Sequence, residues 1–356
     1  MKLRLALVAV SLGLSALIGL TISLDGRSAA NAGTSSHDQI VIGLSMDTLK
    51  ETRWQKDRDY FVAKAEELGA KVLVQSANSD DTRQMQDVQA LLSNNVDVLV
   101  IVPHNGQAMA KAVTLAREAG VPVVAYDRVI TDCDLDVYLS FDNVRVGEMQ
   151  AQYLVNQLPK GRKARIMRIF GAKTDNNAFM FKQGQDNVLG PLVARGEIEI
   201  IHEDWAENWK PENAKKITNA AITQHGTSFD AVLASNDGTA GGAIQALMEE
   251  GLAGKIIVTG QDAELVACQR IASGVQAMTI YKPIRHLASA GAELAVKMAR
   301  GKPVIARGSV NNGKLDVPAV LLDVVTVTKE NLEATVIADG FHPREEVFRN
   351  AGGSQQ

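Results

Sequence analysis

Six apolar runs in this chain are each followed by side chains equipped to hold a hydroxylated ring. Arg53 and Trp54 come after Ile40 to Leu44, Asp127 and Arg128 after Val121 to Tyr126, and Asp175, Asn176 and Asn177 after Ile166 to Gly171. Asn236 and Asp237 follow Ala231 to Ser235, Gln261 and Asp262 follow Ile256 to Gly260, and Lys282 follows Ala277 to Tyr281. Carboxylates accept several hydrogen bonds, arginine presents a planar fork of donors, and asparagine does both, so the set satisfies hydroxyls that donate and accept at once. Trp54 adds a flat apolar face for the C–H side of a ring. Asp127, Asp175, Asp237 and Asp262 would repel an anion, which points to a neutral polyol as ligand. Taken singly, an Asp or Asn at a strand end is as readily a helix N-cap. Only the set points to a pocket.

The elements that must position these residues alternate along the chain. Strand-like segments Ile40 to Leu44, Lys71 to Gln75, Val98 to Val102 and Val121 to Tyr126 are separated by helical patterns near Arg53 to Leu68, Asp81 to Asn94 and Gln107 to Ala119. Nearly continuous Val and Ile runs of this kind form a parallel sheet covered on both faces. The rhythm restarts, with helices near Val144 to Gln157, Asn177 to Leu192, Pro211 to His225, Gly238 to Glu250 and Ala263 to Ser273, and strands starting near Ile166, Ile198, Ala231, Ile256 and Ala277. A helix over Pro283 to Arg300 and β-prone segments near Leu322 to Val327 complete the pattern. The expected fold is α/β: two doubly wound, Rossmann-like lobes joined by a multi-strand hinge. One lobe is expected from residues 38–142 plus 283–316, the other from 143–282 plus 317–346, with a flexible tail over 347–356. Crossings are expected at Ser140 to Asn143, at Tyr281 to Pro283 and near Asn311 to Val317. In such sheets ligands bind beyond the carboxyl ends of the strands.

A chain of 356 residues, 46% hydrophobic, is long enough for two such lobes with separate cores. Lys2 and Arg4 precede an apolar run from Leu5 to Leu24, and Ala30-Asn31-Ala32 has the small-x-small form read by signal peptidase. Residues 1–32 therefore read as a signal peptide cleaved after Ala32, with export to a Gram-negative periplasm. No cysteine lies near that point to carry a lipid. The whole chain has a formal charge of −4, and its removable end carries Lys2, Arg4 and Arg27 against Asp25, so the remainder is more acidic still. Such a chain is unsuited to nucleic acid. Cys133 and Cys268 read as free thiols in different lobes.

Enzymatic motifs are absent from the pattern. Gly238-Thr239-Ala240-Gly241-Gly242 does not fit G-x-G-x-x-G, and no P-loop occurs. Asp132, Asp134 and Asp136 imitate a calcium loop, but Val137 stands where that loop needs glycine. The six histidines are dispersed without metal-ligand spacing, and most read as solvated or capping residues. No catalytic residue, metal site or cofactor is expected. A sugar-responsive repressor of the same architecture would carry a helix-turn-helix where this chain has its apolar leader.

Longer stretches carry a resemblance. Arg53-Trp54-Gln55-Lys56-Asp57-Arg58-Asp59, Ala125-Tyr126-Asp127-Arg128, Ser140-Phe141-Asp142-Asn143, Asp175-Asn176-Asn177-Ala178, Ser235-Asn236-Asp237, Gly260-Gln261-Asp262-Ala263 and Tyr281-Lys282-Pro283 occur in order. In these the chain resembles the type I periplasmic sugar-binding proteins, most closely their D-xylose-binding branch, from about Asp38 to Glu346. The resemblance implies that Arg53, Arg128, Asp175, Asn177, Asn236, Asp262 and Lys282 hydrogen-bond a monosaccharide while Trp54 and Trp209 sandwich it. Asp127 and Asp237 are expected to orient Arg128 and Asn236, and Trp205 to be structural. It further implies a monomer that closes on D-xylose or a related aldopyranose and delivers it to the permease of an ABC transporter. Presentation to a chemoreceptor, with broader aldose specificity, is the alternative.

Overall fold

The computed structural model describes residues 39–349; the signal peptide inferred from the sequence lies outside the described residues. Chain order runs β1 (Val41–Met46), α1 (Thr52–Glu67), β2 (Lys71–Ser76), α2 (Asp81–Ser93), β3 (Val98–Ile101), α3 (Ala110–Glu118), β4 (Val123–Tyr126) and β5 (Val137–Phe141). It continues with α4 (Asn143–Gln157), β6 (Ala164–Phe170), α5 (Asn176–Ala194), β7 (Ile198–Trp205), α6 (Pro211–His225), β8 (Ala231–Ala234), α7 (Asp237–Glu249), β9 (Ile257–Val258) and α8 (Leu265–Ala272). The last elements are β10 (Thr279–Tyr281), α9 (Ile284–Ala299), β11 (Gly308–Asn311), β12 (Asp316–Leu322), β13 (Val325–Val327) and α10 (Arg344–Val347).

Strand composition explains the layering. In the seven-stranded sheet, ordered β11-β12-β5-β4-β3-β1-β2, alternate residues leave on opposite faces. Ile42, Leu44, Val98, Val100 and Val124 pack with Phe61 of α1 and Leu287 of α9, whereas Leu99, Ile101, Val123 and Ala125 pack with Val88 of α2 and Val113 of α3. The four-stranded sheet, β7-β6-β8-β9, repeats the scheme. Met167, Ile169, Val232 and Ala234 join Ile217 of α6 and Leu247 of α7, while Ile166, Ala231 and Leu233 join Leu154 of α4 and Leu189 of α5. All pairings among β1 to β5 and among β6 to β9 are parallel. The strand order reverses beside β1 in one sheet and beside β6 in the other. Both reversals open a crevice at the carboxyl end.

The chain passes between the sheets after β5, after β10 and after β12. The third passage differs from the sequence expectation, which placed residues from 317 onward with the second lobe. Instead β12 pairs parallel with β5, from Ala319 opposite Tyr138 to Leu322 opposite Phe141, and β11 folds back on β12. Val317 and Ala319 are buried in the first sheet's core, so the exchange of sheets falls between Leu322 and Val325, where β13 pairs antiparallel with β10. The expected tail also begins too early: Val347 is fully buried with Leu332 and Val336.

Helices α4 and α5 pack with their backbones almost touching. A Cβ on Gly184 would lie 2.0 Å from the Val144 carbonyl oxygen, in a spot with no side chain to give way. Gly184→Val should cost about 2 kcal/mol or more of unfolding free energy, read as a lower urea midpoint at unchanged slope.

Candidate functional site

The carboxyl ends of the two sheets enclose a cavity of about 310 Å³. Arg53 and Trp54 enter from the first turn of α1, and Asp47 and Thr48 from the end of β1. His104 follows β3 and Arg128 follows β4, while Asp175, Asn236, Gln261 and Asp262 come from the ends of β6, β8 and β9, and Lys282 from that of β10. All nine residues expected to bind ligand (Arg53, Trp54, Arg128, Asp175, Asn177, Trp209, Asn236, Asp262 and Lys282) line this one cavity. Helix capping and cavity lining coincide. Asp175 Oδ1 accepts the Asn177 N–H at 2.9 Å and Asn236 Oδ1 the Thr239 N–H at 2.9 Å.

Two guanidinium groups bridge the sheets. Arg53 pairs with Asp127 of its own sheet and, at 3.2 Å, with Asp262 of the other, while its Nε lies 3.4 Å from Asp57. Arg128 lies 2.8 Å from Asp47 on its own side and 3.0 Å from Asp175 across the cleft. Both guanidiniums cover the indole of Trp54, at 4.4 Å and 5.3 Å from its centre, a favourable approach of cation to ring face. Lys282 sits 3.7 Å from Asp262 Oδ1 and over the rings of Phe181 and Phe141.

Burial and charge set the protonation states. Burial by itself would raise the Asp47 pKa, yet His104, whose Nδ1 lies 3.0 Å from Asp47 Oδ1, and Arg128 together bring it down to about 2. Burial lowers the affinity of Lys282 for its proton, and Asp262 opposes this. Asp57, which accepts the Tyr126 hydroxyl at 2.6 Å, is lifted by burial to about 6 although Arg53 pulls it down. Glu264, on the cavity wall, is pushed up to about 7 by burial and then by Asp262.

The two tryptophans have different surroundings. Trp209 lines the cavity and its Nε1 donates to Asp175 Oδ2 at 3.2 Å, whereas Trp205 packs on Phe170 and Phe179. Gly171 makes room for Trp209, since a Cβ there would lie 2.0 Å from the indole.

The two supporting aspartates act differently from expectation. Asp127 holds Arg53, not Arg128, because the left-handed backbone at Asp127 (φ 64°) carries its side chain to the Arg53 side; Arg128 is held by Asp47 and Asp175. Asp237 points away from Asn236 into a buried nest, accepting from Gln276 Nε2 at 2.8 Å, Thr279 Oγ1 at 2.9 Å and the Glu264 N–H at 3.0 Å. Asn236 is oriented by Thr239 instead. His104, read as solvated or capping, is part of the wall. Asp47, Thr48, Glu51 and Glu264 were also missed; Asp47, next after β1, obeys the same strand-end rule as the rest. Cys133 and Cys268 are free and buried, and burial pushes the Cys133 thiol up to about 11. Asp134 pairs with Lys314 and Asp136 accepts the Val123 N–H, so these carboxylates of the acidic turn serve the fold.

Two parallel sheets with their carboxyl ends on one polar, indole-walled cavity define a protein that holds a small ligand between its halves. A model of the periplasmic binding protein domain matches residues 42–303. The D-xylose-binding periplasmic protein of Haemophilus influenzae is 46% identical over 327 residues, 92% of this chain and 98% of that one. Its counterpart from Escherichia coli is 49% identical over 309 residues, 87% of this chain and 93% of that one. Among solved structures, the carbohydrate transporter solute-binding protein of Chloroflexus aurantiacus in complex with D-glucose superposes with a TM-score of 0.82 at 33% identity, covering 87% of this chain and 98% of that one. The chain belongs to the periplasmic binding protein family, and its α/β fold is the type I fold of that family.

Glu264 offers a test of the site's electrostatics. Its carboxyl holds a proton in the folded protein up to about pH 7, against 4.5 for an unperturbed glutamate, so native stability falls as pH rises through that window. Glu264→Gln should melt a few degrees above the wild type at pH 8, with the difference gone by pH 4.5, in scans at both pH values.

Proposed function

We propose that this protein is a periplasmic receptor that captures D-xylose by closing its two lobes on the sugar and delivers it to the membrane permease of an ABC transporter. The observation that carries this reading is the bridged cavity, where Arg53 and Arg128 of the first sheet meet Asp262 and Asp175 of the second. A sugar there touches both halves at once, and a ligand shifts an equilibrium between open and closed forms only through contacts it makes better in one of them. Fixed charges on both walls supply donors and acceptors to hydroxyls, while Trp54 and Trp209 offer flat apolar faces. The near-half identity to two D-xylose-binding relatives supports the pentose, and the same relatives support the periplasm as its place, reached after cleavage near Ala32. The protein is a binder, not an enzyme, and acts as a monomer.

A broader aldose specificity, with the closed form also presented to a chemoreceptor, is the second reading; the glucose-bound structural relative favours it. A pentose lacks the hydroxymethyl group of a hexose, so the two readings differ in a panel of both sugars. D-xylose alone should raise the melting temperature in the first case.

The affinity expected for D-xylose is micromolar or tighter, about 8 kcal/mol or more. Arg128→Ala leaves Asp47 and Asp175 facing each other without their cation and should weaken D-xylose binding by about 3 kcal/mol or more. Asp262→Ala should cost about 2 kcal/mol or more. Titration calorimetry showing unchanged affinity in both variants overturns the site. In solution scattering the wild type should contract on adding D-xylose.

A further inference from the structure

Glu264 stands apart from the aspartates of the cavity wall. Asp47, Asp127, Asp175 and Asp262 each meet Arg53 or Arg128. The Glu264 carboxyl has neither a hydrogen bond nor an ion pair among the described residues, and because the side chain is only half-buried its oxygens keep accessible surface. Glu264 occupies the N-cap position of α8 without capping it. Its backbone is held instead, for its N–H donates to Asp237 Oδ2 at 3.0 Å, and Asp262 and Ala263 before it have φ of 94° and 49°. The charges acting on the carboxyl are those of Asp262 and Arg270 from its own segment, Asp237 from α7, and Glu51 and Arg53 from the start of α1 across the cleft. Arg270 is engaged elsewhere, its Nε donating to Gln276 Oε1 at 2.9 Å and its Nη2 to the Asp237 carbonyl at 2.9 Å. Glu264 therefore borders the cavity with its accepting capacity unused.

Resting on the sugar-capture reading above, we infer that Glu264 is a further ligand contact, its carboxylate accepting a hydrogen bond from one hydroxyl of the enclosed sugar. A hydroxyl donating to a charged oxygen makes a bond about twice as strong as one between neutral groups. The aspartates of the wall divide their lone pairs between sugar and arginine, whereas Glu264 gives up no cation to accept. In the empty cavity burial and the neighbouring Asp262 favour the protonated form of Glu264. A bond that needs the charged form releases that proton to solvent, so D-xylose binding tightens as pH rises through 7. A site that hydrogen-bonds a particular hydroxyl also discriminates against the analogue lacking it. Glu264 is thereby a specificity determinant.

Titration calorimetry at pH 8.5 should show D-xylose bound about tenfold more weakly by Glu264→Ala than by the wild type. Glu264→Gln keeps the shape and removes only the charge. The ratio of wild-type to Glu264→Gln affinity should rise severalfold between pH 5.5 and pH 8.5, since only the wild type gains a charged acceptor over that range. Asp57 and His104 are common to both proteins, so their titration cancels in the ratio. With a set of monodeoxy-xyloses at pH 8.5, Glu264→Ala should lose the wild type's penalty at one hydroxyl. A carboxyl serving only the fold would change the melting temperature and leave affinity, ratio and penalties unmoved. Unchanged affinity in Glu264→Ala, a ratio flat with pH, or penalties retained at every position each overturn the inference, and if Glu264→Ala fails to fold the ratio decides alone. A folded wild type giving no heat with any aldose overturns the sugar-capture reading itself.

Discussion

Two arginines, Arg128 buried and Arg53 largely so, each shared between carboxylates of both sheets, are the constraint on which the arrangement rests. A guanidinium keeps its charge at any pH the protein meets, so its removal from water must be offset by anions at hydrogen-bond distance. Arg53 and Arg128 each find one anion on their own sheet and another on the facing sheet. Those anions sit at strand ends because only there does the backbone leave the sheet and free a side chain to point along the strand axis into the cleft. Trp54 closes the unit by offering both cations the face of one indole. The result is a wall of donors and acceptors in a space sheltered from water, where hydrogen bonds to hydroxyls gain strength.

Keeping the side chains there strains the backbone. Asp127, Trp209 and Asp262 all have φ in the left-handed region, at 64°, 58° and 94°, at about 1–3 kcal/mol each. Their surroundings enforce it. The Asp127 carbonyl accepts the Ser140 hydroxyl at 2.6 Å, the Tyr138 hydroxyl at 3.0 Å and Asn177 Nδ2 at 3.0 Å, while its N–H donates to Leu139. Asn177 belongs to the second lobe's α5, so one peptide of the first sheet is gripped from both sides of the hinge. Strain, charge and closure are thus located in the same few residues.

Much of this was legible in the sequence, and the gaps have physical causes. Strand and helix positions from β1 through α9, apart from the strand β5, which the sequence reading passed over, followed from apolar runs and cap residues because burial on both faces leaves an unbroken Val and Ile signature. The edge hairpin β11–β12 was misread, since Gly308–Asn311 is mostly exposed and the strand that Ala319 to Leu322 pair with lies about 180 residues earlier in the chain. The cavity residues were legible as a set because the strand-end rule is topological. The partners of Asp127 and Asp237 were not, because which way a carboxylate turns depends on a backbone φ and on neighbours brought by other elements. His104 escaped for the same reason: nothing local to it announces Asp47, 57 positions away.

By itself the sequence determined the class of fold and nine of the residues that line the cavity, since these depend on periodicity and on side-chain inventory. The tertiary structure decided which charges meet. It assigned Arg53 to Asp127 and Asp262, gave Arg128 to Asp47 and Asp175, and turned Asp237 into the core. Hydrogen bonds and ion pairs act over about 3 Å, and distances on that scale between strand ends far apart in sequence exist only after two sheets have folded and faced each other.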